Sequence, residues 1–445
     1  MMQLTEQQVL ALAPDSGSAA NGKKLAQAKN WPTLGRSGRA LWGECQGSGK
    51  NPYQVRLDLA DFASKCSCPS FKFPCKHALG LLLLTASQPA LVADASEPDW
   101  VSEWLDKRSD AAAKKEAKAQ ARAEAEVDPV AQQKRLEKRD NRVRDGLTAL
   151  QVWLEDLVRN GLARLPAEGP AIWEQQAARL IDAQAPGLAN RLRSLADLPG
   201  TGADWPERLS GEIGKIALAL HGFERLDSLP GPLQASLRQH IGFNLKEEEV
   251  LANGEVIRDQ WQVIGQWIEE SDKVRTQRTW LYGLQTRRFA MQLQFAAGLG
   301  QSFGTVLPAG TALDAELVFW PGAGSHRAMI KGSAAPLPPP QQSWQAEPIS
   351  ALLNRYAQAL AINPWQDRLA GTIAEASPVR HESQWFLRDA QGDSLPLIGG
   401  DYWLWLALTG GSSHDIAVEW DGRYLRPLGA YINQVYEPLT ERRHA

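Results

Sequence analysis

Leu147, Leu150, Leu154 and Leu157 follow one another at intervals of three and four residues, and Leu209, Ile213, Ile216 and Leu220 do the same. That spacing puts each set on one face of an α-helix. Residues 146–255 are therefore predicted to form a helical domain. Pro166, Pro186, Pro199, Pro206 and Pro230 punctuate it and predict several short helices rather than a few long ones.

The pattern changes to β-branched and aromatic alternation from residue 256 to 334. Gln260–Gly265, Thr279–Gln285, Phe289–Phe295 and Ala315–Trp320 read as strands. Prolines 336 and 338–340 predict an extended spacer, residues 349–361 a helix, and residues 370–432 strands again. In this last stretch Trp385–Leu387, Tyr402–Leu408 and Ile416–Trp420 are separated by Asp-Gly and Gly-Gly turn signals. As a strand, 402–408 would turn Trp403 and Trp405 to the same face. No exact internal repeat is visible. Near the N-terminus, Arg39–Cys45 and Tyr53–Leu59 flank a Gly-, Asn- and Pro-containing turn and predict a hairpin. The segment Ala78–Thr85 that follows is apolar nearly all round, which predicts a buried helix. Residues 106–145 are charged and Ala-rich, with almost no aliphatic side chains, and read as a helical linker.

The chain thus reads as an α+β multidomain protein. A module spans 1–105 with its core at about 36–90, the charged helical linker spans 106–145, and the helical domain spans 146–255. A β-rich, Trp-rich region at 256–445 contains the Pro-rich spacer at 336–340. The length of 445 residues and an apolar fraction of 43% suit this division. Met1–Glu6 has no basic residue and the apolar stretch Val9–Ala13 is short for a signal segment, so none is expected here. The longest apolar run, Ala78–Ala86, is shorter than the ~20 residues a membrane helix needs. A cytoplasmic protein with no membrane partner is expected. The net charge of −3 conceals an asymmetry, because residues 1–90 hold 10 Lys and Arg against 5 Asp and Glu. This mildly basic end tolerates a nucleic-acid partner without demanding one.

Three of the chain's 4 cysteines fall between residues 66 and 75. The segment Cys66-Ser67-Cys68-Pro69-Ser70-Phe71-Lys72-Phe73-Pro74-Cys75-Lys76-His77 contains three thiols and an imidazole, a complete tetrahedral donor set for one structural Zn2+. Cys66 and Cys68 share a face of an extended segment. Pro69 and Pro74 stiffen the connection, and Cys75 and His77 fall at the start of the predicted helix, where thiolate is favoured. Three thiolates on Zn2+ leave one negative charge, which Lys65, Lys72 and Lys76 can offset. Four protein ligands leave no open coordination position, so the metal is predicted to be structural and no catalytic residue is assigned.

The C-x-C…C-x-H pattern and its following apolar helix resemble the SWIM zinc finger. Leu41–Gly49 and Tyr53–Val55 resemble the strands that precede it in bacterial stand-alone SWIM proteins, and Ala178–Leu188 is similar to a segment of the same proteins. The resemblance implies a ββα-type zinc module with ligands at Cys66, Cys68, Cys75 and His77, used to bind protein or DNA. It also implies an association with a MoxR-type ATPase or a von Willebrand A protein.

Other features carry less. Cys45 reads as a buried strand residue, since the ligand set is already full. Gly47-Ser48-Gly49-Lys50 fails as a phosphate loop, because Glu44 stands where a glycine is needed and Asn51 where a hydroxyl is needed. His221, His240, His326, His381, His414 and His444 show no ligand spacing and are assigned to structure or surface. Phe71 and Phe73 have two readings: apolar filling around the metal, or platforms that stack on bases while Lys65, Lys72 and Lys76 hold phosphates. The tryptophans of the β-rich region read as core, with a partner groove as the alternative. The functional expectation is a non-enzymatic zinc-binding adaptor or scaffold, with DNA or RNA binding second and an enzyme in the β-rich half third.

Overall fold

The N-terminal module is organised around the apolar helix anticipated at 78–85. In the computed structural model, which describes residues 4–47, 49, 51–124, 129–271, 274–297, 303, 305–340 and 344–439, this helix is α3, the third of the chain. Two helices precede it. Helix α1 (Glu6–Ala11) begins with a capping box between Thr5 and Gln8, and α2 (Ser16–Leu25) is capped by the Asp15 carboxylate. Strands β1 (Thr33–Arg36), β2 (Ala40–Cys45), β3 (Tyr53–Asp58) and β4 (Ser64–Cys66) form an antiparallel sheet in sequence order. Helix α3 (Lys76–Ser87) lies between this sheet and α1 and α2, so Ala78 through Leu84 are all buried. Glycines let the helices close up: a Cβ on Gly22 would sit 2.9 Å from the Cβ of Leu79, and one on Gly80 would sit 2.8 Å from that of Leu25.

Helix α4 (Asp99–Glu124) begins against the module. Val101 and Leu105 bury against Ala40 and Trp42, the Arg56 guanidinium lies over Trp100 and Trp104, and Arg108 reaches both Asp58 and Asp61. Helix α5 (Pro129–Arg159) runs without a break across residue 145 into the helical domain. There it carries a buried stripe of Val143, Leu147, Leu150, Leu154 and Leu157. That stripe packs with α6 (Leu165–Glu168), α7 (Ala171–Asp182), α8 (Pro186–Leu195), α9 (Trp205–Glu224) and α10 (Gly231–Ile241), followed by α11 (Glu247–Asn253). Pro166, Pro186 and Pro206 each occupy the first turn of a helix, where the missing N–H costs nothing.

Two antiparallel sheets follow. The first comprises β5 (Glu255–Ser271), β6 (Val274–Gly283), β7 (Phe289–Ala297), β8 (Ala312–Phe319) and β9 (Ala328–Leu337), in the spatial order β7-β6-β5-β8-β9. Helix α12 (Ile349–Ile362) leads into the second. This contains β10 (Leu369–His381), β11 (Gln384–Arg388), β12 (Ser394–Pro396), β13 (His414–Trp420), β14 (Leu425–Ile432) and β15 (Val435–Pro438), in the order β12-β11-β10-β13-β14-β15. The first sheet and the first five strands of the second are both ordered third-second-first-fourth-fifth, with β15 added at the edge of the second, and each sheet follows a helix. A shared topology is therefore present where the sequence has no exact repeat. The sheets meet through Ile264, Trp280, Ala370, Ala417, Leu428 and Tyr436. Gly265 of β5 permits this, because a Cβ there would lie 2.5 Å from that of Leu428.

The structure corrects two readings. Residues 402–408 were expected as a strand and instead form helix α13 (Tyr402–Thr409). The Asp401 carboxylate accepts from the Leu404 N–H, and Gly410 terminates the helix in the left-handed region. These caps outweigh the β preference of the aromatic residues. Trp403 and Trp405 consequently face apart: Trp405 is buried and Trp403 is 65% exposed. The spacer expected at 336–340 starts later than read: Pro336 is part of edge strand β9, where its missing N–H is tolerated. No helix among the described residues is long and apolar enough to cross a membrane.

Candidate metal centre

Strand β4 delivers Cys66, the turn after it delivers Cys68, and α3 delivers the last two candidate ligands. Hydrogen bonds fix the turn to β3: the Gln54 N–H donates to Ser67 Oγ at 2.9 Å, and the Ser67 N–H donates to the Gln54 carbonyl at 3.0 Å. Cys75 is the N-cap of α3 and His77 lies in its first turn. One ligand atom from each of Cys66, Cys68, Cys75 and His77 lies within 4.8 Å of the others. His77 turns its Nδ1 toward the thiols, 3.7 Å from Cys66 Sγ and 4.0 Å from Cys75 Sγ. A tetrahedron with Zn–S of ~2.3 Å and Zn–N of ~2.0 Å has edges of about 3.5–3.8 Å. The cluster is therefore close to the size that one zinc ion requires, and its donor set fits a single structural zinc. Among the described residues no other group of His, Cys, Asp and Glu has this character.

The three thiols differ in how readily they ionise. Hydrogen bonds from Cys66 and then Cys75 hold the Cys68 thiol well below its ordinary range, while the same sharing with Cys68 pushes Cys66 up. At Cys75 the hydrogen bond from Cys66 lowers the thiol, but the one shared with Cys68 and burial outweigh it and push the thiol up. Behind the ligands, the Tyr53 ring packs on the His77 imidazole with centroids 4.7 Å apart. Cys45 lies on β2, fully buried and outside the cluster, and burial pushes its thiol up to about 11. It is the inert strand residue expected.

The loop between Cys68 and Cys75 differs from expectation in two respects. Phe71 does not fill a small core around the metal: it is 72% exposed, and Phe73 is half-buried. Tyr53 supplies the apolar packing instead, across the sheet rather than within the loop. Lys72 is not free to offset the site's charge, because its Nζ pairs with Asp15 Oδ2 at 2.7 Å and ties the loop to α2. Lys65 and Lys76 are exposed beside the ligands. Asp15 and Tyr53 were missed in reading the sequence. Asp15-Ser16-Gly17-Ser18 is a recognisable helix start, which could have placed α2, but nothing in it announces the pair with Lys72.

The remaining candidates stay apart from this centre. His240 and His326 are held well below the ordinary histidine range, at about 3 and about 4, chiefly by burial. Neither takes part in a ligand cluster. Of the discounted phosphate-loop segment, Ser48 and Lys50 lie outside the described residues, as does His444.

Residues 53–85, which hold β3, β4, the ligands and most of α3, match the SWIM zinc finger family. Residues 138–241, from α5 to the end of α10, match the SWIM-associated four-helix bundle domain. No curated protein and no solved structure matches the chain.

Proposed function

Taking the chain as a SWIM-type zinc finger protein, with the finger and its associated four-helix bundle domain both present, we propose that it is a non-enzymatic adaptor whose zinc closes a loop that binds a protein partner. The observation that carries this reading is Phe71, held 72% exposed in a loop anchored at both ends by candidate zinc ligands. An aromatic side chain fixed in water by a stiff scaffold loses little entropy on binding and makes an effective hot spot. Half-buried Phe73 and the Lys72–Asp15 pair support the loop from below. A filled coordination sphere argues against catalysis at the metal. The resemblance to stand-alone bacterial SWIM proteins nominates a MoxR-type ATPase or a von Willebrand A protein as the first partner to try.

The test is co-purification of those two proteins with wild-type chain, Phe71→Ser and Cys75→Ala. The reading predicts that Phe71→Ser keeps one zinc per chain and loses the partner, whereas Cys75→Ala loses both. Equal retention by Phe71→Ser removes the role given to the loop.

Nucleic acid is the second reading, favoured by exposed Lys65 and Lys76 beside exposed Phe71. Anisotropy of labelled single- and double-stranded DNA would fall steeply with added salt if these lysines held phosphates.

A further inference from the structure

The sheet β5–β9 curls until its two edges touch. Met291 of β7 pairs in parallel with Arg327, the residue just before β9, and the Met291 N–H donates to the His326 carbonyl at 2.6 Å. The parallel sense follows from parity. Every neighbouring pair in the order β7-β6-β5-β8-β9 is antiparallel, so with five strands the two edge strands run the same way. Beyond this bridge the two edges line a cleft of about 660 Å3. Gln292 through Phe295 form one wall and residues 328–330 and 332–334 the other, with Ala111 of α4 and Leu251 of α11 beside them.

Three observations describe what is missing between these edges. Among the described residues, strands β7 and β9 each have a sheet neighbour on one side only, and no described strand pairs with the backbone facing the cleft. Ile330 and Ala334 pack against the core enclosed by this sheet and are only partly covered, and Phe295 on the opposite wall is 58% exposed. Gln292 Oε1 and Arg327 Nε are buried without a protein hydrogen-bond partner. The charges of the cleft are largely spoken for: Arg108 bonds both Asp58 and Asp61, and Arg327 lies over the Trp320 ring.

We propose that this cleft accepts an extended, largely uncharged segment of a partner protein as a sixth strand, antiparallel to both β7 and β9. One strand running opposite to both edges satisfies the pairing rule that the parallel edges cannot satisfy with each other, and it closes the sheet as an all-antiparallel barrel. Its backbone would pair with two edges at once, which is strand addition with both sides of the added strand used. The wall from Gln292 to Phe295 spans ~10 Å at ~3.3 Å per residue, room for about four residues. Inward side chains would cover Ile330 and Ala334. The proposal is separate from the zinc loop and does not depend on the role given to Phe71.

The experiment is selection of a random linear peptide library on the full-length zinc-loaded chain, followed by hydrogen exchange with the selected peptide. The expected result is slowed exchange at residues 292–295 and 328–334. Phe295→Lys and Ser333→Lys place charges at exposed edge positions and should weaken the peptide about tenfold with unchanged thermal unfolding. Recovery of no peptide, protection confined to other surfaces, or undiminished binding by both lysine variants would overturn the proposal. So would protection that rises with protein concentration alone, since the occupant would then be a second copy of this chain.

Discussion

Tyr53 of β3 packs its ring on the imidazole of His77 at 4.7 Å, with the planes tilted by 37°. The contact joins the strand before the first cysteine to the helix that carries the last ligand. It keeps Nδ1 of His77 aimed at the thiols, 3.7 Å from Cys66 Sγ. Groups that orient a metal-ligating histidine commonly contribute 10- to 100-fold in affinity. Tyr53→Ala should therefore weaken zinc by about tenfold, measured by competition with a chromogenic chelator. Tyr53→Phe keeps the ring and should restore affinity; if it behaves like alanine, the ring contact is not what positions His77.

Removing the metal should have a local effect on folding. Structural zinc in small modules is worth ~10 kcal/mol or more at neutral pH, and its ligands must be deprotonated to bind. Chelation, acidification or Cys75→Ala should therefore abolish exchange protection in β3, β4 and the start of α3. The helical domain has its own core, from Val143 to Phe243, and should keep its protection. Loss of protection in both regions together would mean that they unfold as one unit.

The close approach of α2 and α3 makes glycine the right residue at position 80. A Cβ there would meet that of Leu25 at 2.8 Å, closer than such atoms sit, so Gly80→Ala must push the helices apart. The expected cost is ~1–3 kcal/mol despite alanine's better helix propensity. Gly211 in α9 is the control, because nothing lies within 4 Å of a Cβ placed there. Gly211→Ala should stabilise by about 0.5–1 kcal/mol. Thermal unfolding of the two variants should shift in opposite directions.

These contacts also mark what could be read from the sequence. The ligands were legible because C-x-C and C-x-H are local patterns whose geometry follows from a strand end and a helix start. The buried stripe on α5 was legible for the same reason, through spacing alone. Helix α13 was not, since its stretch Tyr402–Leu408 is apolar and aromatic throughout and has no period to distinguish helix from strand. Only the Asp401 cap and the Gly410 stop decide it. The Tyr53–His77 contact, the Lys72–Asp15 pair and the closing of β7 on β9 depend on tertiary juxtaposition, which no local pattern encodes.

Glu419 is the clearest case of such a juxtaposition in the β-rich half. It is 1% exposed where the two sheets meet, and it accepts from Trp280 Nε1 at 2.6 Å and from Arg368 Nη1 at 2.7 Å. The guanidiniums of Arg278 and Arg426 lie over the neighbouring Trp267 ring, so the carboxylate sits among three cations. Glu419→Gln keeps an acceptor for Trp280 but removes the compensating charge. A buried pair broken from one side typically costs ~3–5 kcal/mol. Equilibrium unfolding of the variant should show a loss of that order, and a second substitution, Arg368→Met, should recover part of it. Strict additivity of the two losses would show that the pair does not interact.

Burial of His240 gives the stability of the protein a definite pH dependence. The imidazole packs beside Trp365, and Nε2 is buried without a hydrogen-bond partner. Desolvation, followed by the nearby Arg191 cation, pushes its pKa from 6.5 down to about 3. The unfolded chain therefore takes up a proton on this residue at a pH where the folded chain does not. By linkage, its contribution to stability is present above about 6.5 and is lost as the pH falls toward about 3. His326, held at about 4, acts in the same sense. Replacing the imidazole with a ring that cannot be protonated removes one source of the acid loss. Urea unfolding of His240→Phe and wild type across this range should give a stability difference that shifts in the variant's favour as the pH falls below 6.5. A difference that is constant with pH would mean that His240 is protonated equally in the folded and unfolded chain.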